Sequence, residues 1–499
     1  MSASGPAETR PNFVPPSSFG PGSTSRDALV SLVYGTAVRL GTVGLSIAAA
    51  RRLGSAGAGA LGVALQVVAL SSLLATFSLP QGLTRHLARA TDPAEHRRLL
   101  LVSAALIGGF ALAACVLLVS VAPWLARNVY ADPELVPVLI ACGPLTFAAA
   151  AYLWVEGAMQ GLRRFGSLAR WGAVVASADL VVGVVAASWS VVVMLIARAA
   201  VRLVAAGFAL SRWLAPVALA APGTEPVTRR VAAMALLGFA GPTFAAGGAL
   251  LLGNTLLRVL LVRGTDLAAA GHYQAADSLA QAVTLVPMAA AAAFLPAMSA
   301  HGDRPDRELA EPFRRAIEQV TGYNLALCLA AIGVAPWVMQ NVFGRNFEPA
   351  RPVFVLLVCA YATVGPSALF GAWLMGRGRT RTILAVNALW AAVMLFVFHF
   401  ALARWGASGA ALASVIAYWF ALACYALVVA PRHALPISSY LPAISASAVA
   451  LALGAALQWW SAVPVALAVG GNLVLAAIVF ARWAAPSLAA SAWLRRSAM

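Results

Sequence analysis

Apolar residues in this chain gather into long runs, broken only by short polar stretches rich in Arg, Gly and Pro. A helix needs about 20 consecutive apolar residues to cross a hydrocarbon core about 30 Å thick, and in lipid it satisfies its own backbone hydrogen bonds. The runs predict helices at 27–50, 57–79, 99–121, 135–158, 169–188, 190–213, 231–257, 271–295, 316–340, 352–375, 382–402, 409–430, 441–460 and 463–483. The expected fold class is all-α, a polytopic membrane protein of about fourteen transmembrane helices with almost nothing outside the bilayer.

The polar interruptions form two alternating sets. One carries Arg85, Arg89, Arg97 and Arg98, then Arg163 and Arg164, then Arg212, Arg229 and Arg230, then Arg304, Arg307, Arg314 and Arg315, then Arg377, Arg379 and Arg381. The other holds only Arg51, Arg52, Arg127, Arg258, Arg263, Arg345, Arg351 and Arg404. Basic loops stay on the cytoplasmic side, which predicts a multi-pass protein of the bacterial inner (plasma) membrane with both termini inside. Trp124, Trp189, Trp213, Trp337, Trp405, Trp459 and Trp460 fall near span ends, as an interfacial aromatic belt does.

The halves repeat. APWLARNVY begins at Ala122 and APWVMQNVF at Ala335; AGAL at Ala58 returns as AGHY at Ala270; Pro80 matches Pro296, and Cys142 matches Cys359. The order is kept and the spacing is nearly constant. Six helices per half is an even number, so both copies enter from the same side and the repeats are parallel, related by an axis along the membrane normal. The division expected is a disordered cytoplasmic tail over 1–26, an N-lobe of helices 1–6 over 27–215 and a cytoplasmic linker over 216–230. A C-lobe of helices 7–12 follows over 231–430, then two appended helices over 441–483 and a cytoplasmic tail over 484–499.

Composition narrows the chemistry. Hydrophobic residues make up 62% of the 499 and charged residues 10%, against roughly 25% charged in soluble domains. All 34 basic residues are arginine. Without lysine there is no Walker A loop and no Schiff-base nucleophile, so neither ATP hydrolysis by this chain nor pyridoxal chemistry is expected. The net charge of +17 sits in loops between spans and follows topology, so no nucleic-acid partner is expected. Cys115, Cys142, Cys328, Cys359 and Cys424 lie inside apolar runs without metal-site spacing and read as buried structural thiols; no metal and no cofactor is expected.

The segments RRLGSAGAGALG after helix 1, LPQGLTRHLAR after helix 2, NVYADPEL before helix 4 and MQGLRRFG after it, then AGHYQAADSLAQ, FLPAMSA, NVFGRNFEPA, LMGRGRTR and RWGASGAALA in the second half, resemble a known family in their order and spacing. It is the polysaccharide flippase branch of the multidrug/oligosaccharidyl-lipid/polysaccharide exporter superfamily, over roughly residues 28–430. The resemblance implies a V-shaped pair of six-helix lobes around a cationic cavity and alternating access, commonly driven by proton or sodium gradients. It also implies undecaprenyl-diphosphate-linked oligosaccharide as cargo, for surface polysaccharides such as O-antigen or exopolysaccharide, and glycan polymerase or other polysaccharide-assembly proteins as partners.

Charges at mid-depth are the candidate site, because an arginine at the bilayer centre costs about 2.5–3.5 kcal/mol and normally faces a cavity or a partner. Arg39 lies about 18 Å inside helix 1; Arg198 and Arg202 share one face of helix 6, about 12 and 18 Å in; Asp179 on helix 5 lies about 14 Å deep, able to pair with either. Arginine's planar donor fork suits phosphate oxygens, so Arg39, Arg198 and Arg202 are the expected diphosphate contacts. The alternative is an Arg/Asp network that only fastens the lobe. In the second half Asn254, Arg258, Gln274, Asp277 and Gln281 are further cavity candidates, with Asp179 or Asp277 the coupling carboxylate if a cation is coupled. A salt bridge from Asp277 to Arg258 or Arg263 competes with that role. His272 and His399 read as interfacial residues. Gly-Pro pairs at Gly143, Gly241 and Gly365 are expected to break or kink helices 4, 7 and 10.

Two other readings stay open. A drug or small-molecule antiporter of the same superfamily fits the topology, although central arginines favour anionic cargo over cationic drugs. A polytopic glycosyltransferase or glycan polymerase needs catalytic groups in sizeable outer loops, whereas the longest outer connection runs only from about Ala122 to Glu134. A non-catalytic transporter is the expectation.

Overall fold

The computed structural model describes residues 21–90, 92–219, 226–285, 287–288, 306–377, 379–429, 441–459, 465–479 and 481. Every regular element among them is helical: α1 (Pro21–Thr76), α2 (Leu79–Arg89), α3 (Pro93–Trp124), α4 (Val136–Gly161), α5 (Phe165–Ala186), α6 (Val191–Ala209), α7 (Pro226–Gly264), α8 (Leu267–Ala280), α9 (Asp306–Val338), α10 (Ala350–Tyr361), α11 (Val364–Gly376), α12 (Thr380–Val429), α13 (Leu441–Trp459) and α14 (Val465–Val479), with short π and 3-10 turns between some of them. The tails expected over 1–26 and 484–499 lie outside the described residues except for 21–26, which are already helical.

The labels do not map one to one onto the predicted spans. Predicted helices 1 and 2 are both part of α1, which turns at Gly54 with φ 71°, and predicted helices 11 and 12 are both part of α12, which turns at Gly406 with φ 46°. Only glycine enters that left-handed region without a Cβ penalty. Predicted helix 10 divides into α10 and α11 just ahead of Gly365-Pro366. At the other two Gly-Pro pairs the helix is not interrupted: α4 and α7 continue through Pro144 and Pro242. Among the described residues nine helices are long and apolar enough to cross a membrane, the two glycine-broken ones each counted once.

Helix starts follow ordinary capping chemistry: Asp92, Ser190 and Asp266 accept from the backbone N–H of Ala94, Val193 and Ala269 at 3.0, 3.2 and 2.7 Å. The outward faces of the bundle are apolar, with Val116, Leu117, Val181, Val204, Phe396 and Phe400 all exposed. Such a surface belongs in lipid. Trp124, Trp189, Trp337 and Trp405 are exposed at the arginine-poor end, where an aromatic belt is expected.

The repeat is written into the packing. α1 packs along α8, and a Cβ built on Gly59 would overlap the Leu267 carbonyl oxygen and press on the Gly271 amide. A Cβ built on Gly271 would overlap the Ser55 carbonyl and press on the Gly59 amide. Gly59 and Gly271, like Ser55 and Leu267, are 212 positions apart. Reciprocal contacts between equivalent residues are the signature of a two-fold relation, so a pseudo-two-fold axis passes between the two glycines. α7 ties the halves together along its length: Phe244 stacks on Phe77 at 4.5 Å, and its later turns pack on α12 at Trp390 and Ala391. The last two helices, α13 and α14, dock on α9.

The candidate translocation site

Two chambers adjoin α1. The first, of 620 Å³, is lined mainly by the N-terminal half, by Ser72, Gln81, Tyr152, Glu156, Asp179, Arg198 and Arg202 among others. The second, of 430 Å³, lies between the halves and is lined by Gln66, Asn254, Arg258, Gln274, Asp277, Gln281, Tyr361 and Tyr418 among others. Thr42, Leu65 and Leu251 line both, so the two chambers adjoin one another.

In the first chamber α5 and α6 are cross-tied. Asp179 accepts from Arg198 Nε at 3.1 and 3.2 Å and from Nη2 at 2.9 Å, a bidentate fork, and from Arg202 Nη2 at 3.4 Å. The Arg198 side chain is 3% exposed. Its Nη1 nevertheless has no hydrogen-bond partner among the described residues. Arg202 spends one weak bond on Asp179 and keeps 24% of its side chain open to the chamber. Two guanidinium groups against one carboxylate leave an excess of positive charge beside the chamber, with Arg202 the one that keeps surface open to it. Arg39 falls on α1, but its side chain lies outside the described ones.

Sequence reasoning missed Glu156. It sits on α4 in the same chamber, and its side-chain hydrogen bond is to a neutral donor, Gln160 Nε2, at 3.2 Å. No cation pairs with it among the described residues. The only sequence signal was a carboxylate inside a predicted span, seven positions before Arg163 at the arginine-rich end.

The second chamber is organised around Asp277 on α8. Arg258 Nη2 donates to its Oδ2 at 2.8 Å while Nη1 donates to Gln274 Oε1 at 2.6 Å, and Gln281 Nε2 reaches Oδ2 at 3.2 Å. Tyr361 on α10 donates its hydroxyl to Oδ1. Tyr273 places its ring 5.5 Å from the Arg258 guanidinium, a cation–π contact. Of the two salt-bridge partners considered for Asp277, Arg258 is the one present. Gln274 Nε2 donates to Ser46 Oγ at 3.4 Å, and Gln66 Nε2 donates to Thr255 Oγ1 at 3.2 Å, so this cluster spans the halves. A Cβ on Gly62 would stand 2.8 Å from Gln274 Oε1 and 2.9 Å from Arg258 Nη1, which is why α1 carries no side chain there. Asn254 lines the chamber but donates only to the Leu250 carbonyl of its own helix, at 3.1 Å. Tyr361 and Tyr418 were not legible as site residues, because they come from helices far along the chain. His272 Nε2 lies 3.1 Å from the Asn346 carbonyl at the exposed surface, as an interfacial histidine does.

The two charge clusters are not equivalents under the repeat. One stitches α5 to α6, the other α7 to α8. Related helices of the two halves therefore carry different chemistry.

A helical bundle with apolar outer faces, repeated halves and buried arginines beside internal chambers defines a multi-pass membrane protein. Residues 25–301, more than half of the chain, match the polysaccharide biosynthesis protein family, and the chain belongs to that family. Its fold is similar to the lipid II flippase MurJ in an inward closed conformation, at 11% identity and TM-score 0.69, covering 94% of this chain and 100% of that one. It is also similar to an inward-facing multidrug resistance transporter of the MATE family (15% identity, TM-score 0.64, covering 84% and 96%) and to the MATE transporter VcmN of Vibrio cholerae (16%, 0.51, 82% and 98%). No curated protein matches the sequence.

Proposed function

We propose that the chain translocates an undecaprenyl-diphosphate-linked oligosaccharide across the bacterial inner membrane by alternating access, feeding a glycan polymerase or other surface-polysaccharide machinery. The observation that carries this reading is the buried Arg198, whose Nη1 has no partner among the described residues, beside the partly exposed Arg202. A buried, unsatisfied, charged donor is costly and marks a place built for an acceptor. A diphosphate supplies several anionic oxygens in the spacing that guanidinium forks match. The similarity of the fold to a lipid II flippase supports the same class of cargo, and the arginine-rich loops support cytoplasmic termini.

Export of cationic drugs fits the chambers less well, since Asp179 and Asp277, the carboxylates that would hold a cation, are already held by arginines. Within this reading a proton gradient drives the cycle, and Glu156 is the carboxylate free to exchange a proton. The experiment is a strain whose surface glycan depends on this protein, carrying Arg198→Gln and Arg202→Gln at normal protein levels. The expected result is loss of surface glycan with accumulation of the lipid-linked intermediate on the cytoplasmic side. Full glycan output from the double variant overturns the reading, as does a drug-susceptibility phenotype with glycan intact.

A further inference from the structure

On the other side of α5 and α6 from the first chamber, which it meets at Val175, lies an apolar groove. It has a volume of 1040 Å³. Val174, Ala178 and Val182 form one wall and Ala197, Val201 and Val204 the other. Small side chains there leave a channel where larger ones would close the gap between the helices. From Arg170 to Val182 is twelve residues, about 18 Å of helix, against about 15 Å for half of the hydrocarbon core, so the groove runs the depth of one leaflet.

Its chemistry changes abruptly at the arginine-rich end. Arg170, Arg212 and Ser167 stand at the mouth together with Trp213. Arg170 uses its Nε on the Gly166 carbonyl of its own helix at 3.3 Å and makes no other side-chain bond, and Arg212 makes none, among the described residues. Neighbouring polar groups are spent differently: Arg164 Nη1 donates to the Trp213 carbonyl at 3.1 Å and Trp171 Nε1 to the Ala205 carbonyl at 3.1 Å. The mouth therefore offers two uncommitted guanidinium groups directly above an acyl-length apolar slot.

We propose that this groove is a binding site for an anionic phospholipid of the arginine-rich leaflet, its phosphate held between Arg170 and Arg212 and an acyl chain laid between α5 and α6. Basic pockets between transmembrane helices at a membrane surface select anionic headgroups by this combination. The site is separate from the translocation chamber yet built from the same two helices that hold Asp179, Arg198 and Arg202 on their inner faces. Lipid bound outside thus braces the pair that carries the charges inside.

The test uses the full chain purified into nanodiscs of phosphatidylcholine alone or with added phosphatidylglycerol, read by native mass spectrometry for retained lipid and by thermal unfolding. Wild type is expected to keep phosphatidylglycerol through delipidation and to unfold at higher temperature when it is present. Arg170→Gln with Arg212→Gln should weaken that retention by roughly tenfold or more, given about 1 kcal/mol per basic residue at a membrane surface. Ala200→Phe, which fills the groove and keeps both arginines, should also lose it. Arg89→Gln with Arg381→Gln removes the same charge from exposed positions at the same end outside the groove and should change nothing. Undiminished retention in the Arg170/Arg212 variant overturns the proposal. So does an equal loss in the control pair, which would mean diffuse surface charge, or protection of the groove by a second copy of the chain in crosslinking.

Discussion

Arg51 and Arg263 stand 212 positions apart and make the same contact in opposite directions. Arg51, from the first half, donates Nε to the Val342 carbonyl at 2.7 Å and Nη2 to the Asn341 carbonyl; Arg263, from the second half, donates Nη1 to the Asn128 carbonyl at 3.3 Å. The acceptors lie in the π turns Leu125–Val129 and Met339–Phe343, which close α3 and α9 at equivalent points of the repeat. Each guanidinium meets the negative end of a helix dipole across the seam between the halves. Replacing both by Ala should loosen the seam at the arginine-poor end. With these exposed groups worth about 1 kcal/mol or less each, the expected readout is a shift in conformation: a cysteine placed at Ser55 in a cysteine-free background should react several-fold faster with a membrane-impermeant maleimide. An unchanged rate would mean the two arginines hold nothing.

Asp179 and Arg198 allow bracing to be separated from cargo binding. Asp179→Asn leaves a buried guanidinium without its counter-charge and is expected to destabilise by about 3–5 kcal/mol. Asp179→Leu combined with Arg198→Met replaces the pair with apolar volume and should return thermal stability to near wild type. Glycan output should not return. If stability and glycan output recover together, the pair is only a fastening.

Tyr361→Phe removes the hydroxyl that donates to Asp277 Oδ1 while keeping the ring. The carboxylate retains Arg258 and Gln281, so the loss should be about 1–3 kcal/mol, smaller than for Arg258→Ala, which strands a buried carboxylate. Thermal unfolding of the two variants side by side orders them.

Glu156→Gln keeps the shape of the side chain and removes its charge. If this group carries the coupled proton, accumulation in inverted vesicles should become insensitive to an imposed pH gradient while binding of cargo persists. Gradient-dependent uptake equal to wild type would exclude it.

Glu311, at the start of α9, gives a pH signature outside the bilayer. Hydrogen bonds from Arg314 and Arg315 bring its carboxyl down to about 2 from 4.5. A depressed carboxyl stabilises the folded state above the unfolded value and loses that effect as pH falls through the folded one. Wild type and Glu311→Gln should therefore differ in unfolding temperature at neutral pH and converge between pH 4.5 and 2. The group is fully solvated, so the difference is small. A gap that persists at pH 2 would contradict it.

Much of the architecture was readable from the chain because lipid imposes a simple rule: apolar runs become helices and arginines gather at one end. The Asp179 pairing was also foreseeable, since neighbouring helices 5 and 6 have to lie side by side. The partners of Asp277 were only half visible. Arg258, Gln274 and Gln281 lie on adjoining helices, but Tyr361 reaches it from 84 positions away, a contact that depends on how α10 folds back against α8. The Gly-Pro pairs do not mark helix ends at Pro144 and Pro242, because a proline removes one intrahelical bond and leaves the turns on either side intact. Glu156 escaped attention because what distinguishes it is the cation it lacks, and an alanine-rich sequence does not display that.

The glycine crossing at Gly59 and Gly271 has an energetic corollary. Two backbones that meet without side chains approach closely yet share little oily surface, so pulling them apart exposes few carbon atoms to water. Separation there should carry a small heat-capacity change and little temperature dependence. What resists it is a handful of directional polar bonds, each of which can be exchanged for a bond to solvent. The seam is thus close-fitting but easily parted, a property suited to the alternating access proposed above.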